Sequence, residues 1–464
     1  MAGITNILNL GRRALLAQEL GLAVTGINIA NANTQGYTRQ EIRLQSDSVR
    51  VPGLGGLGTG VKVASIDRAR DLFADNELRR ESQVLGYWRG QSENLSRLET
   101  VVNDLTESGL ADALGSFWQG WQELSDHPED RLARETVVER GRILAEDINQ
   151  LAENLASMRR NLDQSIEQHT DELNDLASRV ALLNERVVAG QGQAPALEDE
   201  RDRLLDEMAS LANITATPDS SGAVTVRLGG RMLVAGKQAL PLQMQGSAEP
   251  GTAERGPCWA NDGSAAGITG GEIGGLMALR DTVIPEMEQR LDRLAWTVGS
   301  EVNRLHRAGT DLNGTRGGDF FVLASGADEV DPRGSAAALR VRPALLADAA
   351  AVAAGLEGSA GDNRTALAIA ALDQARPEAL GESTVQEYWA ALSGAIGGKV
   401  NEAADRLSEH EAAVEQFQNL REASTGVSLD EEATRLIAYE QAYAAAARLI
   451  STADEMAQDL IDIL

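Results

Sequence analysis

The chain has 464 residues, a formal net charge of -28 and only 3% aromatic residues, a composition that suits layers of narrow Leu/Ala/Val helices rather than one large aromatic-filled globule. So acidic a chain lacks the basic footprint that nucleic acid or an anionic membrane surface requires. Cys258 is the sole cysteine, which excludes an intrachain disulfide, and no apolar run is long enough to cross a membrane. The start, MAGITNILNLGRRALLAQEL, lacks the basic region and small-residue cleavage site of a signal peptide.

In chain order, residues 5–33 predict one amphipathic helix. Leu8, Leu15, Leu22 and Ile29 recur every seven residues, and Leu16, Leu20, Ala23, Ile27 and Ala30 alternate by four and three beside them. The stripe is broad enough to meet two partners. Asn, Thr and Gly gather at 31–36 and stop the helix. Residues 37–70 switch to a strand-like period, YTRQEIRL and GVKVASIDRA around VPGLGGLGTG, and predict an extended hairpin with a glycine-rich tip. Those glycines are followed by a strand rather than a helix, which argues against a phosphate loop.

Helical signal resumes at 71–125, broken near 107–109. The longest helix is predicted over 132–189, on a stripe of Leu144, Ile148, Leu151, Leu155, Met158, Leu162, Ile166, His169, Leu173, Leu176, Val180, Leu183 and Val187. GQGQAP ends it, and a helix over 197–213 closes a long helical hairpin. Residues 214–271 are β-like, with short strands around Gly229 and Gly230. Residues 272–308 are helical with a kink or restart at Pro285, residues 309–362 hold short strands at FFVL and ALRVRP, and helices run from 363 to the end with a break at 424–426.

The last helix repeats the device of the first. Leu429, Leu436, Tyr443, Ile450, Ala457 and Leu464 recur at sevens, with Ala446 inside an alanine run. Through residue 45 four Arg face two Glu, a balance of +2; from 401 on, four Arg face fourteen acids, a balance of -10. Matching apolar repeats of opposite sign favour pairing of the two ends.

Little in the chain reads as chemistry. The four His are far apart, and His306 with Asp311, Asn313 and Asp319 only loosely follows a calcium-loop pattern, without its register. No catalytic carboxylate pair or nucleophile motif stands out. The expectation is therefore no enzyme, no catalytic residue, no cofactor and no metal.

The run NIANANTQGYTRQ resembles the shared N-terminal pattern of the bacterial flagellar axial proteins (rod, hook and hook-associated), matching it at Asn31, Asn33, Thr34, Gly36, Tyr37 and Arg39. The C-terminal stretch from GVSLDEEATRL onward is similar to that family's closing helix. Within the family the resemblance is greatest to the hook-associated branch at the hook–filament junction. Gln40 follows Arg39, the segment GGLMALRDTVIPEMEQRLDRLAWTVGSEVNRLHRAGTDLNG is similar to that branch's internal helical segment, and the long hairpin fits it. The likeness weakens at 214–271 and 320–362.

The resemblance implies a structural adaptor joining hook to filament, with another axial role (hook, rod or second junction protein) as the alternative. It implies type III export to the extracellular flagellum, a ring of copies at the hook tip, contacts with the hook protein and the second junction protein, and an export chaperone on the C-terminal helix. Neither nucleic acid nor membrane insertion is expected. The fold expected is mainly α with smaller β-rich parts, elongated and discontinuous. Residues 1–45 plus 425–464 would form the terminal coiled-coil domain. Residues 46–213, 272–316 and 363–424 would form a mainly helical domain with an extended arm. A small β-rich segment at 214–271 and an outer insertion at 317–362 complete it. The leucine, isoleucine, tyrosine and alanine positions of both end repeats, and the matched motif residues, are the expected interface.

Overall fold

A computed structural model of the chain describes residues 2–34, 36–51, 55–102, 109–190, 194–246, 255–357, 359 and 361–463. Helix α1 (Ala2–Ala30) is followed by an antiparallel hairpin, β1 (Gln40–Val51) and β2 (Gly55–Arg68). The pairing runs from Gln40 opposite Arg68 to Val51 opposite Gly55. Most of the glycine-rich stretch read as a tip is therefore strand: Gly55, Gly56, Gly58 and Gly60 all pair with β1, because an antiparallel ladder needs only backbone N–H and C=O groups. Residues 52–54, the remainder of that tip, lie outside the described residues, as do 103–108 and 191–193, where two further breaks were expected.

The body begins with α2 (Leu72–Val102), α3 (Leu110–Asp126), α4 (Arg131–Ala189) and α5 (Pro195–Leu211). Asp130 caps α4, its carboxylate accepting the Leu132 N–H at 2.8 Å. At 59 residues, α4 is about 90 Å long. Its predicted stripe is the buried face: only Met158 and His169 of that series are half-buried, the rest being fully buried. Helix α5 folds back on α4 as the hairpin predicts.

Strands β3 (Ile214–Pro218), β4 (Val224–Leu228), β5 (Arg231–Ala235) and β6 (Gln238–Ala239) form a four-stranded antiparallel sheet in that order, and β7 (Leu242–Gln245) pairs with β8 (Gly256–Trp259). Asparagines on α4 hold these strands by imitating a neighbouring strand. Asn184 donates to the carbonyls of Val224 and Gly236 and accepts the Val224 N–H; Asn174 both donates to and accepts from the Leu242 backbone.

Helix α6 (Gly271–Ala278) continues through a π-turn at Leu279–Val283 into α7 (Ile284–Ala308). Pro285 explains the wide turn. It has no N–H for the carbonyl four residues back and its ring crowds that carbonyl, so the Ile284 N–H reaches Leu279 instead. The expected kink is thus a π-bulge in a continuous helix. Strand β9 (Phe321–Val322), helix α8 (Ser335–Ala338), strand β10 (Arg340–Val341, paired with β9) and helices α9 (Pro343–Ala347) and α10 (Arg364–Ala370) make the outer insertion and its return. Helix α11 (Val385–Thr425) opens with a complete capping box between Thr384 and Glu387 and packs along α2. It ends at Gly426, and α12 (Leu429–Ile463) turns back.

One continuous apolar core runs from Leu95 to Ala403 through α3, α4, α7 and the β segments, with the rings of Phe117, Trp121, Phe320 and Phe321 clustered in it at tilted and edge-on angles. Helices cross closely where α2 meets α5 and α6: a side chain at Gly86 would strike the Ser210 carbonyl of α5, and one at Gly275 of α6 the Tyr87 carbonyl. Neither α1 nor α12 contributes a described residue to this core. The molecule is mainly α with smaller β-rich parts.

Candidate assembly interface

Helix α1 lies antiparallel along α12. Side chains at Gly11 and Gly21 would sit 2.5 Å from Ile450 and 2.7 Å from the Tyr439 ring, so these two large side chains rest on bare α1 backbone. The buried line is Gly11, Ala17, Gly21, Val24 and Asn28 on α1 against Glu432, Ala446 and Ala453 on α12. Small residues let the helix axes approach. The leucine repeat is not this line. Leu8, Leu15, Leu22 and Ile29 are half-buried on its flank, as is Leu436; Ile450 is half-buried over Gly11; Ala446 is buried; Leu429 and Tyr443 are exposed, at 55% and 41%; Leu464 lies outside the described residues.

The second edge read in α1 stays open. Leu16 is 56% exposed and Ile27 45%, with Ala23 exposed between them. Leu16, Ala17, Leu20 and Ala23 line a groove of about 600 Å³ against Val61 and Val63 of β2, rimmed by Arg13, Glu19 and Lys62. On α12, Ile437, Leu449 and Met456 are likewise exposed. Each terminal helix therefore buries one apolar edge within the chain and presents another.

At the end of α1 the NIANANTQGYTRQ run builds a hydrogen-bonded corner. The Asn31 side chain donates to the Ile27 carbonyl, ending the helix, and the Thr34 hydroxyl donates to Asn31. Gly36 sits at φ +79°, where a side chain would be strained, and turns the chain back. Asn33, Thr34 and Gly36 are exposed. The Tyr37 hydroxyl donates to Asn28 Oδ1 at 2.7 Å. Its phenol is pushed up to about 12 by burial, with the nearby Asp199 and Glu432 carboxylates adding to the effect. Arg39 pairs with Glu41 and Glu431 and donates its backbone N–H to Thr425, tying the hairpin to the α11–α12 turn.

The centre of this corner is a residue absent from the predicted set. Asn28 is 1% exposed; its Nδ2 donates to the Gln40 carbonyl and to Glu432 Oε2, each at 3.0 Å, while its Oδ1 accepts from Tyr37 and from the Gln40 N–H. Glu432 is fully buried and takes Arg435 on its other oxygen. The available signal was positional: Asn28 lies seven residues after Gly21, and Glu432 seven before Tyr439, on the buried lines.

Below the corner, charge fastens the hairpin base to the body. Arg68 reaches Glu198, Asp199 and Asp202 of α5; Arg70 reaches Asp75 and Asp202; Arg79 reaches Asp202 and Asp206; Arg421 reaches Asp206. The Thr38 N–H also donates to Asp199. Burial holds the Arg70 guanidinium below its ordinary value, and Asp75 offsets part of that.

The residues singled out for possible chemistry hold structure. His306 is fully buried, its Nδ1 at 2.7 Å from the Gly318 carbonyl and its Nε2 accepting the Ala353 N–H at 2.9 Å. This arrangement requires neutral imidazole, and burial lowers its pKa to about 4. Asp311 accepts the Asn313 and Thr315 N–H groups in a local turn, and Asp319 pairs with Arg307. Among the described residues no group of three or more His, Cys, Asp or Glu could hold a metal ion.

The two paired ends match rod-class family models. Residues 8–38 match "Flagella basal body rod protein", and residues 422–463 match "Flagellar basal body rod FlgEFG protein C-terminal". Fold and ends together define a flagellar axial protein. Residues 95–321 match "Flagellar hook-associated protein FlgK helical domain". Flagellar hook-associated protein 1 of Bacillus subtilis (strain 168) is 32% identical, with 98% of this chain and 97% of the relative covered. That of Escherichia coli (strain K12) is 24% identical, with 99% of this chain and all of the relative covered. The solved structure of the flagellar hook junction protein FlgK from Burkholderia pseudomallei shares the fold, at a TM-score of 0.64 and 15% identity over 76% of this chain and 100% of that one. The chain belongs to the flagellar hook-associated protein 1 family, a family of structural flagellar components.

Proposed function

We propose that this chain is the adaptor subunit that joins the flagellar hook to the filament, assembling as a ring of copies on the hook tip. The observation that carries the proposal is the state of the ends. The α1–α12 pair lies outside the common core, yet still presents apolar edges at Leu16, Ile27, Ile437, Leu449 and Met456. An isolated chain leaves those edges in water; side-by-side copies bury them. In this reading 1–45 plus 425–464 form the inner wall and the helical body forms an outer layer. The β segments at 214–271 and 317–362 face outward, and the predicted terminal residues make the contacts between copies.

The family membership supports the hook protein and the second junction protein as neighbours above and below. The uncovered apolar edge of α12 supports a chaperone that shields it before type III export to the extracellular flagellum. The role is structural: buried histidine and paired carboxylates here brace the fold and do no chemistry. The match of residues 95–321 to the hook-associated helical domain favours the junction over another axial position.

Deletion of residues 425–464 tests the reading. It removes α12 and leaves the core intact, so the product is expected to be soluble but unable to join hooks, and cells carrying only it should bear hooks without filaments. Filament growth from that truncation would overturn the assembly role. Labelled protein found along the whole hook or within the rod would instead move it to another axial position.

A further inference from the structure

The seam between α1 and α12 is built mainly of small residues, with Tyr439 and Ile450 set on Gly21 and Gly11. At seven-residue spacing it offers Ala14, Gly21 and Asn28 on one side and Glu432, Tyr439, Ala446 and Ala453 on the other. The observed contacts place Gly21 on Tyr439 and Asn28 on Glu432, which puts Ala14 at the level of Ala446. Sliding α12 one heptad one way sets Ala446 and Ala453 against Gly21 and Ala14, and the other way sets Tyr439 over Ala14; both lift Tyr439 and Ile450 from their glycines, so apolar packing supplies part of the register and the polar pair the rest. The polar pair discriminates strongly. One slide brings Glu432 to the level of Gly21, which has no side chain to donate; the other brings Asn28 to the level of Tyr439. Either leaves a buried carboxylate without the amide that now satisfies it.

We infer that Asn28 and Glu432 form a register lock: they fix the axial alignment of the two terminal helices and, through the same asparagine, the point where the hairpin departs. Asn28 holds both the N–H and the C=O of Gln40, as a paired strand would, while gripping Glu432 with its other amide hydrogen. Three elements are thereby indexed to one side chain. Arg435 neutralises the second carboxylate oxygen from within α12 and also reaches Glu41 of β1 at 3.4 Å, a solvent-exposed pair that adds little to the register. The exposed Arg39–Glu431 pair adds little. The lock lies within one chain, so it stands whether or not the junction reading does.

Disulfide trapping in the full-length chain tests it, after Cys258→Ser removes the native thiol. Ala14→Cys with Ala446→Cys reports the observed register, and Ala14→Cys with Ala453→Cys reports a one-heptad slide. The first pair is expected to cross-link at least about tenfold more than the second in the native background. Asn28→Leu with Glu432→Leu is expected to narrow the ratio of the two yields severalfold, with the unfolding midpoint of the body unchanged. Glu432→Gln alone, which keeps an acceptor for Asn28, is expected to keep the native preference. An unchanged ratio in the double-leucine variant, or equal cross-linking of both pairs in the native background, would overturn the lock.

Discussion

The helical body and the terminal helix pair use apolar residues in opposite ways. In the body, Phe117, Trp121, Leu144, Ile148 and Phe320 are completely shielded, and the aromatic rings meet tilted or edge to face. In the terminal pair the shielded residues are mostly glycine and alanine, while the large ones (Leu16, Ile27, Ile437, Met456) look outward. A region whose bulky side chains are inside is finished within one chain. A region whose bulky side chains are outside, over a seam of small ones, is arranged for further neighbours.

The sharpest break of this contrast is in the body. Trp121→Ala empties a fully buried site among Phe117, Phe320 and His306, and is expected to cost about 3–5 kcal/mol in urea or thermal unfolding. Met456→Ala, on the exposed edge of α12, should shift the same measurement by less than about 0.5 kcal/mol. Equal losses would erase the distinction between the two regions.

A second break uses pH. His306 has a folded pKa of about 4 against an ordinary value near 6.5, so the fold favours the neutral ring. Its contribution is complete above pH 6.5. It declines as the unfolded chain takes up a proton that the folded chain refuses, and it is gone below pH 4. The loss is about 3 kcal/mol across that window. The stability gap between the native chain and His306→Gln should shrink accordingly between pH 6.5 and 4 in urea titrations; a constant gap would show that the imidazole does not titrate this way.

The mildest test addresses the seam. Gly21→Ala places a methyl group 2.7 Å from the Tyr439 ring, so the helices must part locally, at about 1–3 kcal/mol. Hydrogen exchange should speed up at 5–40 and 430–459 and stay unchanged in α4. Faster exchange spreading into α4 would mean that the ends and the body share one cooperative unit.

The same contrast explains what was legible in the amino-acid order. The α4 stripe declared itself because the large apolar residues that repeat are the ones that are buried; the same holds for the helical hairpin, and the break at 424–426 was marked by its own residues, whereas the Thr384 capping box went unread. In α1 the leucine repeat drew attention to the flank, since a glycine–alanine seam carries almost no hydropathy signal. Asn28 read as an ordinary polar residue, and Glu432 only as part of the closing-helix pattern, because what makes them special is a partner 404 positions away. Arg68 and Asp202 were missed for the same reason, being common charges whose meaning arises only when α5 returns beside the hairpin base. The glycine-rich strand was taken for a tip because glycine lacks the side-chain alternation by which strands are recognised.

The asparagines of α4 have a consequence for how such molecules diversify. Asn174 and Asn184 grip the β segments by backbone amides and carbonyls, and Asn149 does the same for the carbonyls of Ala336 and Leu339. A clasp that reads only main-chain atoms is indifferent to what is sewn between its teeth. Surface loops can be exchanged, lengthened or trimmed between those attachment points while the long helix keeps its shape, so external decoration and internal scaffold are free to evolve at different speeds.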